Sequence, residues 1–386
     1  MFKTNPKLKR IFLLGFLLAL HFAFTSYINS SFLSAFSGEE NVGLIYILGS
    51  LASLVALYFI PGILQRTGEY KFLLWASGLN ALLLLLLSLL KTSVGIIPVF
   101  IFYFILNLLI VFAMDELVEM FSKNSSTGLV RGVYLTFINL AWVIAQTVSG
   151  KILSNFTFSS LYLLAFLIMA TFFIFVSVGL KNIVDPKYDK VLAWQSFKNF
   201  FRNKNLARAY KMNFLLQFFY VWMVIYTPIY LHAHLHFAWE EITTIFAIML
   251  LPFVLIQFPL GRYSDKIGEK KMLRLGFLAA SLATFSLFFI TRHEVWIWAI
   301  ALFATRVGAA TIEIMSDVYF FKHIERENDE FIAVYRNTIP MSYIIAPFAA
   351  FVIFRLVPSF NYIFLILGVL MLYGVYLAGT INRKDV

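Results

Sequence analysis

Residues 261–271 read Gly-Arg-Tyr-Ser-Asp-Lys-Ile-Gly-Glu-Lys-Lys and separate two long apolar runs. A related copy of the last seven residues lies 200 positions earlier, at residues 65–71, which read Gln-Arg-Thr-Gly-Glu-Tyr-Lys. The glycine, the glutamate and the final lysine are identical in the two copies. Two further segments, which begin with Val-Tyr at 133 and at 334, align at an offset of 201. Two alignments with nearly the same offset indicate an internal repeat, so we predict two related halves.

The composition predicts that both halves lie in a membrane. Apolar residues make up 61% of the chain and charged residues only 13%, whereas a soluble domain carries about 25% charged residues. A helix needs about 20 apolar residues to cross a bilayer. Such runs lie near 11–36, 43–64, 72–90, 94–117, 130–150, 158–180, 212–233, 241–260, 272–291, 295–318, 331–354 and 359–380. We therefore predict an all-α integral membrane fold with twelve transmembrane helices in two six-helix halves.

The basic residues predict the orientation of the chain in the membrane. If the N-terminus is cytoplasmic, 26 of the 31 Lys and Arg residues fall in cytoplasmic segments and 4 in outer segments. The positive-inside rule then places both termini in the cytoplasm, and we expect the chain in the cell membrane, either plasma or inner. This placement explains the net charge of +11 without a nucleic-acid partner. The first run is too long for a signal peptide, so we interpret it as an uncleaved helix.

The longest polar segment divides the chain into three predicted parts. These are an N-terminal six-helix half at 1–182, a cytoplasmic linker at 183–210 and a C-terminal six-helix half at 211–386. Within the linker, Val191, Trp194, Phe197 and Phe201 repeat at helical spacing beside basic residues. This pattern predicts either a short helix on the inner membrane surface or an ordinary linker.

The repeated loop resembles the signature loop of the major facilitator superfamily, and the resemblance covers the whole chain. That loop reads Gly-x-x-x-Asp-Lys/Arg-x-Gly-x-Lys/Arg-Lys/Arg, and here it is matched by Gly261, Asp265, Lys266, Gly268, Lys270 and Lys271. The copy in the first half departs from it, because Gln65 stands where the acid is expected. The resemblance implies two halves that work by alternating access, with a gating role for this loop.

A second set of charges could take part in gating. Asp115 precedes Arg131, and Asp317 precedes Arg336, at equivalent helix ends in the two halves. These residues either form a compensating gate or are solvated charges at the membrane interface, and the sequence leaves both interpretations open.

The resemblance also implies a central cavity lined by helices 1, 4, 7 and 10. Polar residues that share one face of these helices are therefore candidate substrate or coupling residues, because a helical face recurs every three to four residues. They are His21, Thr25 and Asn29 on helix 1, Tyr103 and Asn107 on helix 4, Asn213, Gln217 and Tyr220 on helix 7, and Arg306, Glu313 and Asp317 on helix 10.

Arg306 is the strongest candidate among these residues. It lies about a dozen residues into its span, where a charge costs at least a few kcal/mol. It would recognise an anionic group or balance a coupling carboxylate, or else form a buried pair with Glu313, about 10 Å along the helix. Glu313 is the first candidate proton carrier and His21 the second. We expect the coupling site in the C-terminal half, because no acid lies at mid-depth in the first half.

We predict neither a metal nor a cofactor. Cysteine is absent, which excludes disulfides and thiolate ligands. His232, His234 and His236 follow one another at every second position. They could bind a metal only where the helix has frayed, so we interpret them as residues of the membrane interface. No nucleotide-binding P-loop pattern is present, and ATP hydrolysis is therefore not expected.

These features predict a secondary active transporter and not an enzyme. We expect it to move a small solute by alternating access as a monomer in the lipid bilayer, with protons or another ion as the optional driving partner. One alternative is a non-transporting relative that acts as a sensor or a lipid flippase. The other is a membrane-embedded lipid-modifying enzyme, for which Asp115, Glu116 and Glu119 are the only acidic cluster. The substrate and the direction of transport stay open.

Overall fold

The computed structural model describes residues 6–122, 127–181, 193–256, 268–324 and 330–381. All regular elements in these ranges are helices, which confirms the all-α class. The chain forms two compact units, Met1–Asp189 and Lys190–Val386. The predicted boundaries at 182/183 and 210/211 stay a prediction, because residues 182–192 lie outside the described ranges.

In the first unit, seven helices lie within the described ranges. They are α1 (Pro6–Ser26), α2 (Asn29–Ser37), α3 (Glu39–Thr67), α4 (Glu69–Leu89), α5 (Ser93–Ser122), α6 (Thr127–Asn155) and α7 (Phe158–Gly179). Within this unit α1 packs against α6 and α7, and α4 packs against α5 and α7. The predicted first span therefore consists of two consecutive helices, α1 and α2.

The described residues of the second unit form eight α-helices and one π-helix. They are α8 (Ala193–Arg202), α9 (Lys204–Ile229), the π-helix (Tyr230–His234), α10 (Trp239–Leu255), α11 (Glu269–Phe289), α12 (Val295–Lys322), α13 (Glu330–Arg336), α14 (Thr338–Ile353) and α15 (Tyr362–Gly379). Helix α11 packs against α12 and α15, while α9 packs against α12 and α14. Helix α8 lies within the predicted linker.

Nine helical segments within the described ranges are long and apolar enough to cross a membrane. They are Leu8–Ser37, Glu39–Ile60, Glu69–Leu89, Ser93–Val118, Phe158–Gly179, Lys204–His234, Glu269–Phe289, Val295–Lys322 and Tyr362–Gly379. The three other predicted spans correspond to α6, α10 and the pair α13–α14. A multi-pass membrane protein is confirmed, and the number of twelve spans stays a prediction.

The repeated loops share a backbone conformation as well as a sequence. Gly68 and Gly268 have φ angles of +76° and +82°, which glycine adopts without steric cost. Each is followed by the first residue of a helix, Glu69 in α4 and Glu269 in α11. Both glutamates are buried, at 0% and 1% exposure, and a carboxylate in the first turn interacts favourably with the helix dipole.

The first membrane helix of each unit departs from α geometry. In the first unit α1 ends at Ser26, whose hydroxyl donates to the carbonyl of Phe22 at 2.7 Å, and α2 begins at Asn29. In the second unit Pro228 removes a backbone donor near the end of α9, and the π-helix begins at Tyr230. The two irregularities lie about one repeat apart, and breaks in membrane helices accompany functional sites.

The close packing of α11 and α12 depends on small residues. A Cβ atom placed on Gly308 would lie 2.4 Å from the backbone nitrogen of Ala280 and 2.7 Å from the carbonyl oxygen of Gly276. The two backbones are therefore in direct contact, the arrangement that glycine permits between membrane helices. This contact holds α12 at a fixed position in the second unit.

Replacing Gly308 by alanine should destabilise the protein, although alanine favours a helix more than glycine does. The added methyl group has no space, so we expect a cost of about 1–3 kcal/mol and a lower midpoint of thermal unfolding in detergent. Gly62→Ala in α3 is the matched control, because a Cβ there meets nothing within 4 Å. Equal unfolding midpoints for the two variants would contradict the proposed close contact.

Candidate functional site

Arg306 lies on α12 against two aromatic residues of α9. The guanidinium carbon is 5.2 Å from the centre of the Phe219 ring and 5.4 Å from that of the Tyr220 ring. The residue is 1% exposed. Cation–π contacts of this kind contribute about 2 kcal/mol where water is excluded. The aromatic faces thus offset part of the cost of burying the charge.

Tyr220 connects Arg306 to Glu313. Its ring lies beside the guanidinium, and its hydroxyl donates to Oε2 of Glu313 at 3.4 Å. The sequence posed the choice between a functional arginine and a direct pair with Glu313. The structure shows a third arrangement, in which Tyr220 of α9 contacts both Arg306 and Glu313 of α12.

Two nitrogens of Arg306 lack a hydrogen-bond acceptor among the described residues. They are Nε and Nη1, both buried. The aromatic rings stabilise the charge but accept no conventional hydrogen bond from these groups. A buried donor without an acceptor costs about 1–3 kcal/mol, and more when the group is charged. The site is therefore able to bind an acceptor, such as an anionic oxygen.

Asn213 and Gln217 extend the polar face of α9. Gln217 Nε2 donates to Oδ1 of Asn213 at 3.4 Å, and Asn213 Nδ2 donates to the hydroxyl of Thr338 at 2.9 Å. These bonds connect α9 to the beginning of α14. Gln217 lies three residues before Tyr220 on α9, just under one helical turn away.

The polar residues of the first unit bond to one another. His21 Nε2 donates to Oδ1 of Asn107 at 2.9 Å, and the same oxygen accepts from Nδ2 of Asn80 at 3.3 Å. All three residues are at most 3% exposed. The structure thus brings together the predicted candidates His21 and Asn107, and it adds Asn80 of α4.

The other candidates of the first membrane helix have partners in the same unit. Thr25 Oγ1 lies 2.8 Å from the hydroxyl of Tyr103, and Asn29 Oδ1 accepts from the hydroxyl of Tyr162 at 2.7 Å. These bonds join α1 and α2 to α5 and α7 on either side of the helix break. Asn80 and Tyr162 were missed in the sequence because only helix pairing places Asn80 beside Asn107 and Tyr162 beside Asn29.

The end of the second unit that carries the signature loop contains an ion pair that the sequence did not predict. Lys322 at the end of α12 pairs with Glu269 at the beginning of α11. Lys270 donates to the carbonyl of Ile381 beyond α15. The basic half of the signature loop therefore connects three helices, and Lys271 is exposed. Gly261, Asp265 and Lys266 lie outside the described residues.

A second polar cluster at this end centres on Arg208 of α9. Its guanidinium donates to the hydroxyl of Tyr319 at 3.0 Å, to Oδ1 of Asn205 at 2.7 Å and to the hydroxyl of Thr380 at 2.9 Å. These bonds connect the beginning of α9 to the ends of α12 and α15. Arg208 stood in the sequence among many other basic residues, and nothing in its spacing distinguished it.

The second set of predicted gating charges is only partly described. In the second unit Tyr335 donates to Oδ1 of Asp317 at 2.9 Å, and Arg336 is exposed. In the first unit Asp115 is exposed, whereas the side chain of Arg131 lies outside the described residues.

The three histidines at alternate positions lie around the π-helix at the C-terminal end of α9. His232 Nδ1 donates to the carbonyl of Phe237 at 3.0 Å, and the ring of His234 lies 4.5 Å from that of Phe360. His236 has a φ angle of +58°, so its backbone is left-handed. In the described part of the chain, no three histidine or acidic residues form a possible metal site.

Comparisons with known proteins agree with this architecture. Residues 223–381 match the model of the Major Facilitator Superfamily. No curated protein sequence matches the chain significantly. Among solved structures, a POT family transporter in complex with 5-aminolevulinic acid is 13% identical with a TM-score of 0.81, covering 100% of this chain and 98% of that one.

Two further solved structures resemble the chain over nearly its whole length. A POT family transporter in complex with a thioalcohol-conjugated peptide is 14% identical, with a TM-score of 0.79 and coverage of 98% of this chain and 96% of that one. The nucleoside transporter NupG is 12% identical, with a TM-score of 0.75 and coverage of 97% and 98%. At such low identity these likenesses show the fold alone. The family resemblance is confirmed for residues 223–381, and the chain is a multi-pass membrane protein with the fold of these transporters.

Proposed function

We propose that this protein is a secondary active transporter that moves a small solute across the cell membrane by alternating access. The observation that carries the proposal is the buried Arg306, whose Nε and Nη1 have no acceptor among the described residues. A transporter needs such an incompletely satisfied polar site, because its solute supplies the missing partner. The solved transporters of this fold bind small solutes, namely a conjugated peptide, 5-aminolevulinic acid and nucleosides. We propose the monomer as the transporting unit.

We assign solute binding and proton coupling to the second unit. Arg306 binds the solute, Glu313 carries the proton, and Tyr220 contacts both groups. Gln217 adds a hydrogen-bonding side chain one turn away. This division places the coupling site on α9 and α12, two helices that pack against each other.

We assign a mainly structural role to the polar residues of the first unit. His21, Thr25, Asn29 and Asn107 have partners from neighbouring helices on both sides of the break between α1 and α2. A network of this kind fixes the broken helix, because no water is present in the bilayer to replace its bonds.

We propose that charged residues at the cytoplasmic helix ends control the opening of the transporter toward the cytoplasm. The pair Glu269–Lys322 holds α11 and α12 together there. Breaking and reforming this pair would separate and rejoin the two helix ends. The proposed gating residues are Gly261, Asp265, Lys266, Gly268, Lys270, Lys271, Asp115, Arg131, Asp317 and Arg336.

The Glu313→Gln variant should lose proton coupling and keep solute exchange. Glutamine retains an acceptor for the Tyr220 hydroxyl but carries no titratable proton. Purified protein in liposomes would be given peptide, 5-aminolevulinic acid, nucleoside, sugar or carboxylate, and a pH-sensitive dye would record proton movement. We expect at least a tenfold loss of proton movement in the variant and nearly unchanged counterflow exchange.

The control for this experiment is Glu294→Gln, since Glu294 is a half-exposed acid before α12. It should behave like the unsubstituted protein. Accumulation of solute by Glu313→Gln under a proton gradient would contradict the coupling role. Lack of movement for every solute in the set would contradict transport and favour a sensor or a lipid flippase.

The proposed orientation can be tested with single cysteines, because the chain contains none. Thr92 lies in the exposed turn between α4 and α5, and Asn199 lies on the exposed side of α8. On intact cells, a membrane-impermeant maleimide should label Thr92→Cys and leave Asn199→Cys unlabelled. Both variants should react after permeabilisation. Labelling of Asn199→Cys on intact cells would show that the orientation is wrong.

A further inference from the structure

Arg306 offers more than a general polar contact, because its surroundings restrict what can bind to it. We propose that it binds the carboxylate of a monoanionic organic solute with an aromatic or other bulky apolar group. This inference rests on the proposed function, since it names the class of solute that the transporter carries. Three features of the site support it in turn.

The first feature is the unmatched hydrogen-bonding capacity of the guanidinium. Nε and Nη1 are buried without an acceptor, and the side chain is 1% exposed. A guanidinium donates only and always carries its charge, so its natural partner is an anionic oxygen. A neutral hydroxyl or amide would satisfy a donor but leave the charge uncompensated.

The second feature is the charge on the face of α12 that carries Arg306. Glu313 and Asp317 follow Arg306 on α12 by seven and eleven residues, about 10 and 16 Å along the helix. Two acids beside one arginine disfavour a dianion such as a phosphate monoester, since its second charge would face carboxyl groups. A carboxylate brings one negative charge and matches one guanidinium.

The third feature is the aromatic wall around the charge. The rings of Phe219 and Tyr220 lie on the guanidinium, and the ring of Phe253 lies 6.1 Å from that of Tyr220. A carboxylate that reaches Arg306 must place the rest of its molecule beside these rings. An apolar or aromatic body gains from this burial, whereas a sugar or a short charged peptide would lose its hydration.

The position of Tyr220 also gives a reason for coupling to a proton. Its hydroxyl donates to Glu313 while its ring contacts Arg306. One monoanion bound at Arg306 and one proton bound at Glu313 together carry no net charge. Electroneutral cargo lowers the cost of moving charged groups through the membrane interior.

Benzoate is a suitable probe, because it combines one carboxylate with one aromatic ring. Binding to the purified full-length protein would be measured by calorimetry and thermal shift. Benzamide is the neutral isostere, phenylphosphonate the dianion, benzylamine the cation, and acetate the carboxylate without a ring. We expect benzoate to bind at least tenfold more tightly than each of the other four.

Variants then test whether the binding depends on Arg306. Arg306→Gln should weaken benzoate binding by about tenfold or more. The matched control is Arg355→Gln, since Arg355 also lies over an aromatic ring, 4.3 Å from that of Phe351, but is exposed. It should bind benzoate normally.

Two further variants keep the inference testable if Arg306→Gln fails to fold. Arg306→Lys keeps the charge and should retain the preference for benzoate over benzamide. Phe219→Leu removes one ring and should lower the affinity for benzoate more than that for acetate. Equal affinity for benzoate and benzamide, or normal benzoate binding by a folded Arg306→Gln protein, would overturn the inference.

Transport in liposomes separates this inference from the proposed function. Proton-linked movement of a neutral solute, without benzoate binding, would overturn the carboxylate site and leave the transporter intact. Benzoate binding that depends on Arg306, without movement of any solute, would retain the site and overturn the transporting role.

Discussion

The absence of water in the bilayer core is the constraint on which this structure depends. Each buried polar group must find its partner within the chain or in a ligand, because lipid offers none. In the first unit this requirement is met in part between helices, as in the bond from His21 to Asn107, although Nδ1 of His21 and Nδ2 of Asn107 have no partner among the described residues. In the second unit the unmatched group is a charged one, since Nε and Nη1 of Arg306 have no acceptor among the described residues, and the proposed solute site rests on this difference.

The two units share elements of one architecture but differ in the polar side chains that they bury. Both place a positive-φ glycine before an equivalent helix and a buried glutamate at its first position, and both interrupt their first membrane helix at an equivalent position in the repeat. The first unit surrounds its interruption with neutral hydrogen-bonded pairs. The second unit places titratable and cationic groups beside α9, within reach of Tyr220 and Phe219. The internal repeat accounts for the shared helix arrangement. The two units differ in a few buried polar side chains, and the proposed solute chemistry rests on those of the second unit.

Most of the architecture was predictable from the sequence, because span length and apolarity are local properties. The equivalence of Gly68 and Gly268 followed from the repeat alone. The contacts of the site were not predictable, since they depend on which helices pack together. Tyr220 was visible on the polar face of its helix, yet only the pairing of α9 with α12 places it between Arg306 and Glu313.

The close contact of α11 with α12 links the packing of the second unit to its chemistry. Gly308, two residues after Arg306, permits the backbones to touch at Ala280. This contact fixes the rotation of α12 about its axis, and with it the face that carries Arg306 and Glu313. A larger residue at this glycine would displace the charged face relative to α9. The contact between α11 and α12 therefore determines both the stability of the second unit and the orientation of Arg306 toward α9.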